Sequence, residues 1–249
     1  MTTPTDRREP VARRRPRRFV PPQHGAWAML LLPLLATVPV TGAGWLHLPL
    51  LGAWLAGYLL SYYAMQAIKT RRPDRFREQL LIYGAVTVPL AGVVVAARPE
   101  VLWFAPAYAG LLAVNLWYAW RRRERALGND LALVAQSCLM VFVAAAVAGV
   151  APAAVVDVFM AVLAYLTGTV LYVKTMIRER GSVAYRRASV AFHLVALVVA
   201  AWVSLPLGAV FAVLLLRAWL LPGRGLRPKQ VGVGEIVLSV AVLAAIVAG

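Results

Sequence analysis

Nine blocks of apolar residues, separated by short turns that hold nearly all the charge, constrain this chain more than any other feature of its sequence. They run roughly over 25–43, 46–67, 80–97, 101–120, 131–149, 153–173, 188–205, 206–221 and 231–248. A helix rises about 1.5 Å per residue and a bilayer core is about 30 Å thick, so a block of about 20 residues is a span. Only 14% of the residues are charged and 61% are hydrophobic, with a mean hydropathy of +0.73. Soluble domains carry about 25% charged residues. The expected fold is all-α: a polytopic membrane helical bundle of about nine transmembrane helices over 21–249, preceded by a basic, disordered cytoplasmic tail over 1–20.

The net charge of +16 raises nucleic acid as a partner, but its distribution argues otherwise. The first 18 residues hold seven arginines, and 24 of the 26 Lys and Arg fall in this tail or in alternate turns. The turns are "KTRRPDRFR", "RRRER", the 174–187 segment and "GRGLRPK"; the exceptions are Arg98 and Arg217. Positive residues stay on the cytoplasmic face, so the N-terminus is expected inside and, after nine crossings, the C-terminus outside a bacterial inner membrane. Membrane lipids, not nucleic acid, are the expected partners of the basic surface. "PRRFVPP" resembles a twin-arginine export signal, yet the apolar run after it is long and no small-residue cleavage site closes it. The first block is therefore read as an uncleaved helix.

The shortest block, 206–221, would give about 24 Å of helix. Arg187 before the 188–221 segment and Arg224 after it should share a side, so the segment is expected to go out and return near Pro206, as two spans or as a re-entrant hairpin. Trp45, Trp103 and Trp202 are expected at the outer interface and Trp27, Trp117, Trp120 and Trp219 at the inner one. Cys138 lies within an apolar run and reads as a small packing residue.

Polar side chains are costly in hydrocarbon and usually face a bundle interior or a wet cavity. Near the inner helix ends this chain places His24, Gln66, Lys69, Asn115, Asn129, Asp130, Gln136, Tyr172, Lys174, His193, Arg217 and Glu235. The outer half offers little beyond His47, Arg98, Glu100 and Asp157. That asymmetry predicts a polar cavity open to the cytoplasm. The ligand-binding candidates are His24, Lys69, Asn129, Asp130, Lys174, Arg178 and His193, with His24 the candidate proton donor or acceptor because imidazole titrates near neutrality. Each also has a plainer reading. Asn129 or Asp130 can cap the fifth helix, His193 can hydrogen-bond across helices, and Arg217 can snorkel or pair with Glu235. Three histidines without ligand spacing give no metal site, and no cofactor is expected. No phosphate-cradling glycine loop or nucleophile elbow is present.

"PPQHGAWAMLLLP", the "GND" after "RRRERAL", and "YVKTMIRERGSVAYRR" resemble the YwiC-like family of bacterial membrane proteins over almost everything after the tail. The nine-helix, N-inside layout is also similar to the UbiA superfamily of membrane prenyltransferases. That resemblance implies two aspartate-rich magnesium motifs at the inner ends of the second and sixth helices. Here "QAIKTRRPDRF" offers only Asp74 and "YVKTMIRER" only Glu179, so magnesium–diphosphate chemistry of that kind is not expected. The leading expectation is a cytoplasm-facing cavity for an anionic or lipid-derived ligand, isoprenoid-type ligands included. The alternatives are a divergent prenyl- or lipid-modifying transferase, a transporter, and an assembly partner of another membrane protein. Enzymatic activity stays open.

Overall fold

The computed structural model describes Phe19 and residues 24–249, the side chains of 24–26 excepted. The basic tail of residues 1–18, Gln23 and the side chain of His24 therefore lie outside the described residues. Among the described residues there are nine α-helices and no strand: α1 His24–Thr41, α2 His47–Thr70, α3 Arg77–Ala97, α4 Ala105–Trp120, α5 Leu127–Val147, α6 Val156–Ile177, α7 Val183–Val203, α8 Leu205–Leu220 and α9 Pro228–Ala248. Short 3-10 segments, Pro73–Phe76, Pro99–Phe104 and Pro152–Val155, lead into α3, α4 and α6. Each begins with a proline, whose missing N–H costs nothing in a first turn.

Every apolar block is one helix, and the helices overrun the blocks at the charged end. α2 continues to Thr70, α6 to Ile177, and α7 begins at Val183, not 188. Ser182 explains that start: its hydroxyl accepts from the Tyr185 amide at 3.4 Å and caps the helix. Lys and Arg are good helix formers, so an apolar run ends before its helix does.

α5 is the central helix and the most buried of the candidate spans. Its small residues Ala132, Ser137, Cys138, Ala144 and Ala145 let α1, α4 and α6 approach closely. Without water to drive association, such small-residue contact is how membrane helices pack. One core runs through α1, α5, α6, α7, α8 and α9, with Cys138 fully buried in it as a packing residue. A second joins α1, α2, α3 and α5. α3 and α4 close the far flank and expose most of their surface.

The turn between α7 and α8 is one extended residue, Ser204, whose hydroxyl accepts from the Leu207 amide at 3.3 Å. The helices then run back side by side so tightly that a Cβ on Gly208 would stand 2.9 Å from the Ala201 Cα. Arg186 in the first turn of α7 donates to the Trp219 carbonyl in the last turn of α8, at 3.3 Å. The two arms thus cover the same distance. Despite its 16 residues, α8 ends beside the first turn of α7, so the segment goes out and returns as the sequence suggests.

Contacts between turns define two ends. At one, Arg180 donates to the Leu226 carbonyl, and Lys69 and Lys174 both reach the 121–126 turn. This basic end gathers four charged segments. At the other, His47 of α2 lies 3.3 Å from the Ala144 carbonyl of α5 through Nε2 and hydrogen-bonds the Gly44 amide through Nδ1. Trp45, Trp103 and Trp202 are exposed near this opposite end. Trp117, Trp120 and Trp219 are exposed near the basic one, with Arg121 over the Trp117 and Trp120 rings.

Candidate functional site

Polar side chains at the basic end form two centres. The first surrounds the turn between α4 and α5, residues 121–126. Lys69, in the last turn of α2, pairs with Glu124 at 2.7 Å. Lys174, near the end of α6, pairs with Asp130 at 2.8 Å and donates to the Arg125 carbonyl at 2.8 Å. The turn is thereby held from both sides. Burial pushes the Glu124 carboxyl up, but the hydrogen bond from Lys69, a backbone hydrogen bond and the charges of Lys69 and Arg125 outweigh it. The net result is a pKa below the usual carboxylate value.

The "GND" residues act differently from the expected cap. The N-cap of α5 is Ala126, without a side-chain hydrogen bond, and Asn129 and Asp130 stand inside the first turn. Asn129 donates through Nδ2 to the Glu124 carbonyl at 2.8 Å, outside its own helix. Asp130 turns to Lys174 and also complements the positive end of the helix dipole. A Cβ on Gly128 would need space that the Tyr118 hydroxyl occupies, so a larger residue there must displace the end of that side chain.

The second centre lies between α6, α8 and α9. Arg217 and Glu235 form an ion pair through Nη1 and Oε1, as the sequence suggested, and both are buried, at 7% and 8% exposure. The guanidinium carbon lies 4.2 Å from the centre of the Tyr172 ring, a cation–π contact. Thr169 donates to the other Glu235 oxygen at 2.9 Å. One helical turn deeper, Tyr165 donates to the Glu235 carbonyl at 3.0 Å and meets the Ser239 hydroxyl at 2.9 Å. Tyr165 and Thr169 do not stand out in the sequence, although their spacing puts them on one face of α6 with Tyr172, as that of Glu235 and Ser239 does on α9. Polar residues at helical spacing inside an apolar span are the signal that finds them.

A recess of about 340 Å³ opens beside this pair. Arg217, Glu235, Gln230 and Tyr172 border it along with Leu221, Leu226, Val231, Val237 and Leu238, and nearly all of its exposed lining is apolar. Among the described residues nothing accepts from Nε or Nη2 of Arg217, both fully buried. Buried donors without acceptors are costly, about 1–3 kcal/mol each and more when charged.

His193 lies behind this centre on α7, 2% exposed. Its Nδ1 hydrogen-bonds the Ser189 carbonyl of its own helix at 2.7 Å, not a neighbouring helix. Nε2 faces Gly168 of α6, where a Cβ would come within 2.9 Å. Arg178 is exposed just past α6, with no ion pair among the described residues. His24 opens α1 at the basic end. The structure thus joins Lys69, Asn129, Asp130 and Lys174 around one turn, and sets His193 apart from them. No three His, Cys, Asp or Glu side chains among the described residues gather as metal ligands do.

Seven helices among the described residues are long and apolar enough to cross a membrane, and two more are shorter and apolar, so this is a multi-pass membrane protein. It belongs to the YwiC-like family: residues 20–145 match the family model described as "YwiC-like protein". The chain is 32% identical over 225 residues to "Uncharacterized protein YwiC" of Bacillus subtilis, covering 88% of this chain and 92% of that one. It is 31% identical over 227 residues to an "Uncharacterized protein" of Haemophilus influenzae, covering 87% and 92%. No solved structure matches.

Proposed function

We propose that this protein binds an anionic or lipid-derived ligand at its basic end, which faces the cytoplasm from the inner membrane, with the N-terminus inside and the C-terminus outside. The observation that carries the reading is the recess of about 340 Å³ beside the buried Arg217–Glu235 pair, at the end where the charged turns gather. Lys69 and Lys174 each have a carboxylate partner. Their role in this reading is to fix α2 and α6 to the α4–α5 turn, α6 being the helix that also borders the recess, with Asn129 and Asp130 as anchors and Arg178 as an exposed cation at the same end. His24 stands at the start of α1 on the same side. The nine-helix order supports a UbiA-like arrangement without that superfamily's magnesium motifs.

The orientation rests on the gathering of charged turns at one end. The opposite end, where His47 ties α2 to α5, favours a binding protein open on one side over a carrier. Native mass spectrometry of protein extracted gently from its own membrane tests the reading. Wild type is expected to carry a small-molecule adduct that an Arg217→Met, Glu235→Leu variant of equal melting temperature lacks. An adduct-free wild type, or an adduct indifferent to the double variant, would sink it.

A further inference from the structure

We infer that an ordered water binds inside the bundle between α6, α7 and α8, joining the buried edge of Arg217 to His193 and Ser189. The recess is bordered by α6, α8, α9 and the turn before α9, whereas this site faces α7. The two are separate, and either can fail without the other.

Four fully buried atoms define the site: Nε and Nη2 of Arg217, Nε2 of His193 and Oγ of Ser189, none of which has a hydrogen-bond partner among the described residues. Helix register brings them together. Nε2 of His193 packs against Gly168 of α6, and the Arg217 guanidinium lies over the Tyr172 ring. Gly168 and Tyr172 are one helical turn apart, so both contacts fall on one face of α6, separated by about 6 Å along its axis. Ser189 precedes His193 by one turn on the facing side of α7. Between α7 and α8, Arg186 meets Trp219 and Ala201 meets Gly208, a register that sets Ser189 level with Arg217. Helical side chains lean toward the start of their own helix. α7 starts at the basic end and α8 finishes there, so His193 and Arg217 lean toward each other.

The balance of donors and acceptors selects water. Nδ1 of His193 stands 2.7 Å from the Ser189 carbonyl, which only accepts, so Nδ1 carries the proton and Nε2 presents a lone pair. Nε and Nη2 of Arg217 only donate, and the Ser189 hydroxyl does either. Donors and an acceptor thus stand close together inside the bundle without bonding one another, the mark of a bridged contact. A water accepts from the guanidinium edge and donates to Nε2 and Oγ, and buried waters usually make about three such bonds. An anion would meet the Nε2 lone pair and the Glu235 carboxylate, and a cation would meet Arg217. The small side chains of Gly168 and Ser189 flank the two large polar ones.

The test is solid-state NMR of the full chain in lipid bilayers, with polarisation transferred from water protons to the imidazole nitrogens. Labelling phenylalanine carbonyls with carbon-13 and histidine with nitrogen-15 singles out His193, because it alone of the three histidines follows a phenylalanine. The expected result is a protonated Nδ1 and an unprotonated Nε2 that receives polarisation from water. In the Arg217→Met, Glu235→Leu variant that transfer should be lost, since both donors are gone, while Nδ1 keeps its proton and so reports an intact α7. A protonated Nε2, or a bare Nε2 that receives nothing from water, would overturn the site in the wild type alone, whether or not the variant folds. Transfer of equal strength in a folded variant would overturn the part assigned to Arg217.

Discussion

Lys174 and Asp130 form an ion pair of 2.8 Å that ties the end of α6 to the first turn of α5. Lys69 and Glu124 make the matching contact from α2, at 2.7 Å. The two pairs look alike in sequence, but water separates them energetically. The Lys174 side chain is 5% exposed and that of Asp130 20%, against 40% and 29% for Lys69 and Glu124. Exposed pairs contribute about 0–1 kcal/mol, whereas removing one member of a buried pair costs about 3–5 kcal/mol. Lys174→Met should therefore destabilise the protein by roughly 2–4 kcal/mol, with Asp130→Asn added recovering part of the loss. Lys69→Met should cost less than about 1 kcal/mol. Thermal unfolding in micelles reads both, and equal losses would contradict the clamp as described.

The outer pair also sets a pH dependence. The Glu124 carboxyl lies below its ordinary value in the folded chain, so the folded state holds the proton less tightly than the unfolded one. The stabilisation is fully present above the ordinary carboxylate range and is lost as pH falls through the depressed folded value. Glu124→Gln should flatten this acid-side loss, measured as melting temperature between about pH 6 and pH 3 against wild type. An unchanged acid limb in the variant would show that other carboxyls govern it.

Arg217 and Glu235 give the sharpest stability test because both are buried. Arg217→Met alone leaves the Glu235 carboxylate without its cation and should cost about 3–5 kcal/mol. Arg217→Met with Glu235→Leu removes both charges and should return to within about 1 kcal/mol of wild type. If the double variant is as unstable as the single one, the pair is not the unit of stability at this site.

How far the sequence foretells this site depends on what each residue needs. Nine apolar blocks become nine helices because hydrocarbon leaves a backbone no other way to satisfy its hydrogen bonds. The Arg217–Glu235 pair was legible for a similar reason: an arginine and a glutamate at matching depth in neighbouring spans have few other partners. The partners of Lys69 and Lys174 were not legible. Both lie among many charges near a helix end, where water competes and sequence spacing says little about which turn is adjacent. Asn129 misleads because the capping preference is a local rule, and here the Glu124 carbonyl outside the helix is the closer acceptor. His193 misleads in the other direction, since its Nδ1 finds a carbonyl in its own helix.

The contact between His193 and Gly168 is a fit of shapes that a paired substitution can expose. A Cβ on Gly168 would approach Nε2 to 2.9 Å, so the imidazole must move although its ring is buried and its Nδ1 is held by Ser189. Gly168→Ala should therefore destabilise α6–α7 packing by about 1–3 kcal/mol, the usual cost of overpacking. Gly168→Ala with His193→Ala should cost less than the sum of the two single changes, because the small side chain fills space the ring has left. Additive losses in the cycle would mean that the two residues do not share this space.

The side on which each terminus lies is a direct test of the membrane topology, and the hairpin of α7 and α8 leaves it unchanged, since it starts and ends at one level. With Arg186 at the start of α7 against Trp219 at the end of α8, both arms of the hairpin cover the same depth. If the other seven helices cross as well, the total is nine and the termini lie on opposite sides. The basic turns, "RRPDR" and "RPK" among them, then share one face, and the positive-inside rule makes the cytoplasmic face the expected one. In a Cys138→Ser background, a cysteine at Asp74 or Lys229 should be blocked only by reagents that cross the membrane, and one at Ala248 by impermeant reagents added to spheroplasts. Labelling of Ala248→Cys and Asp74→Cys from the same side would mean an even number of crossings.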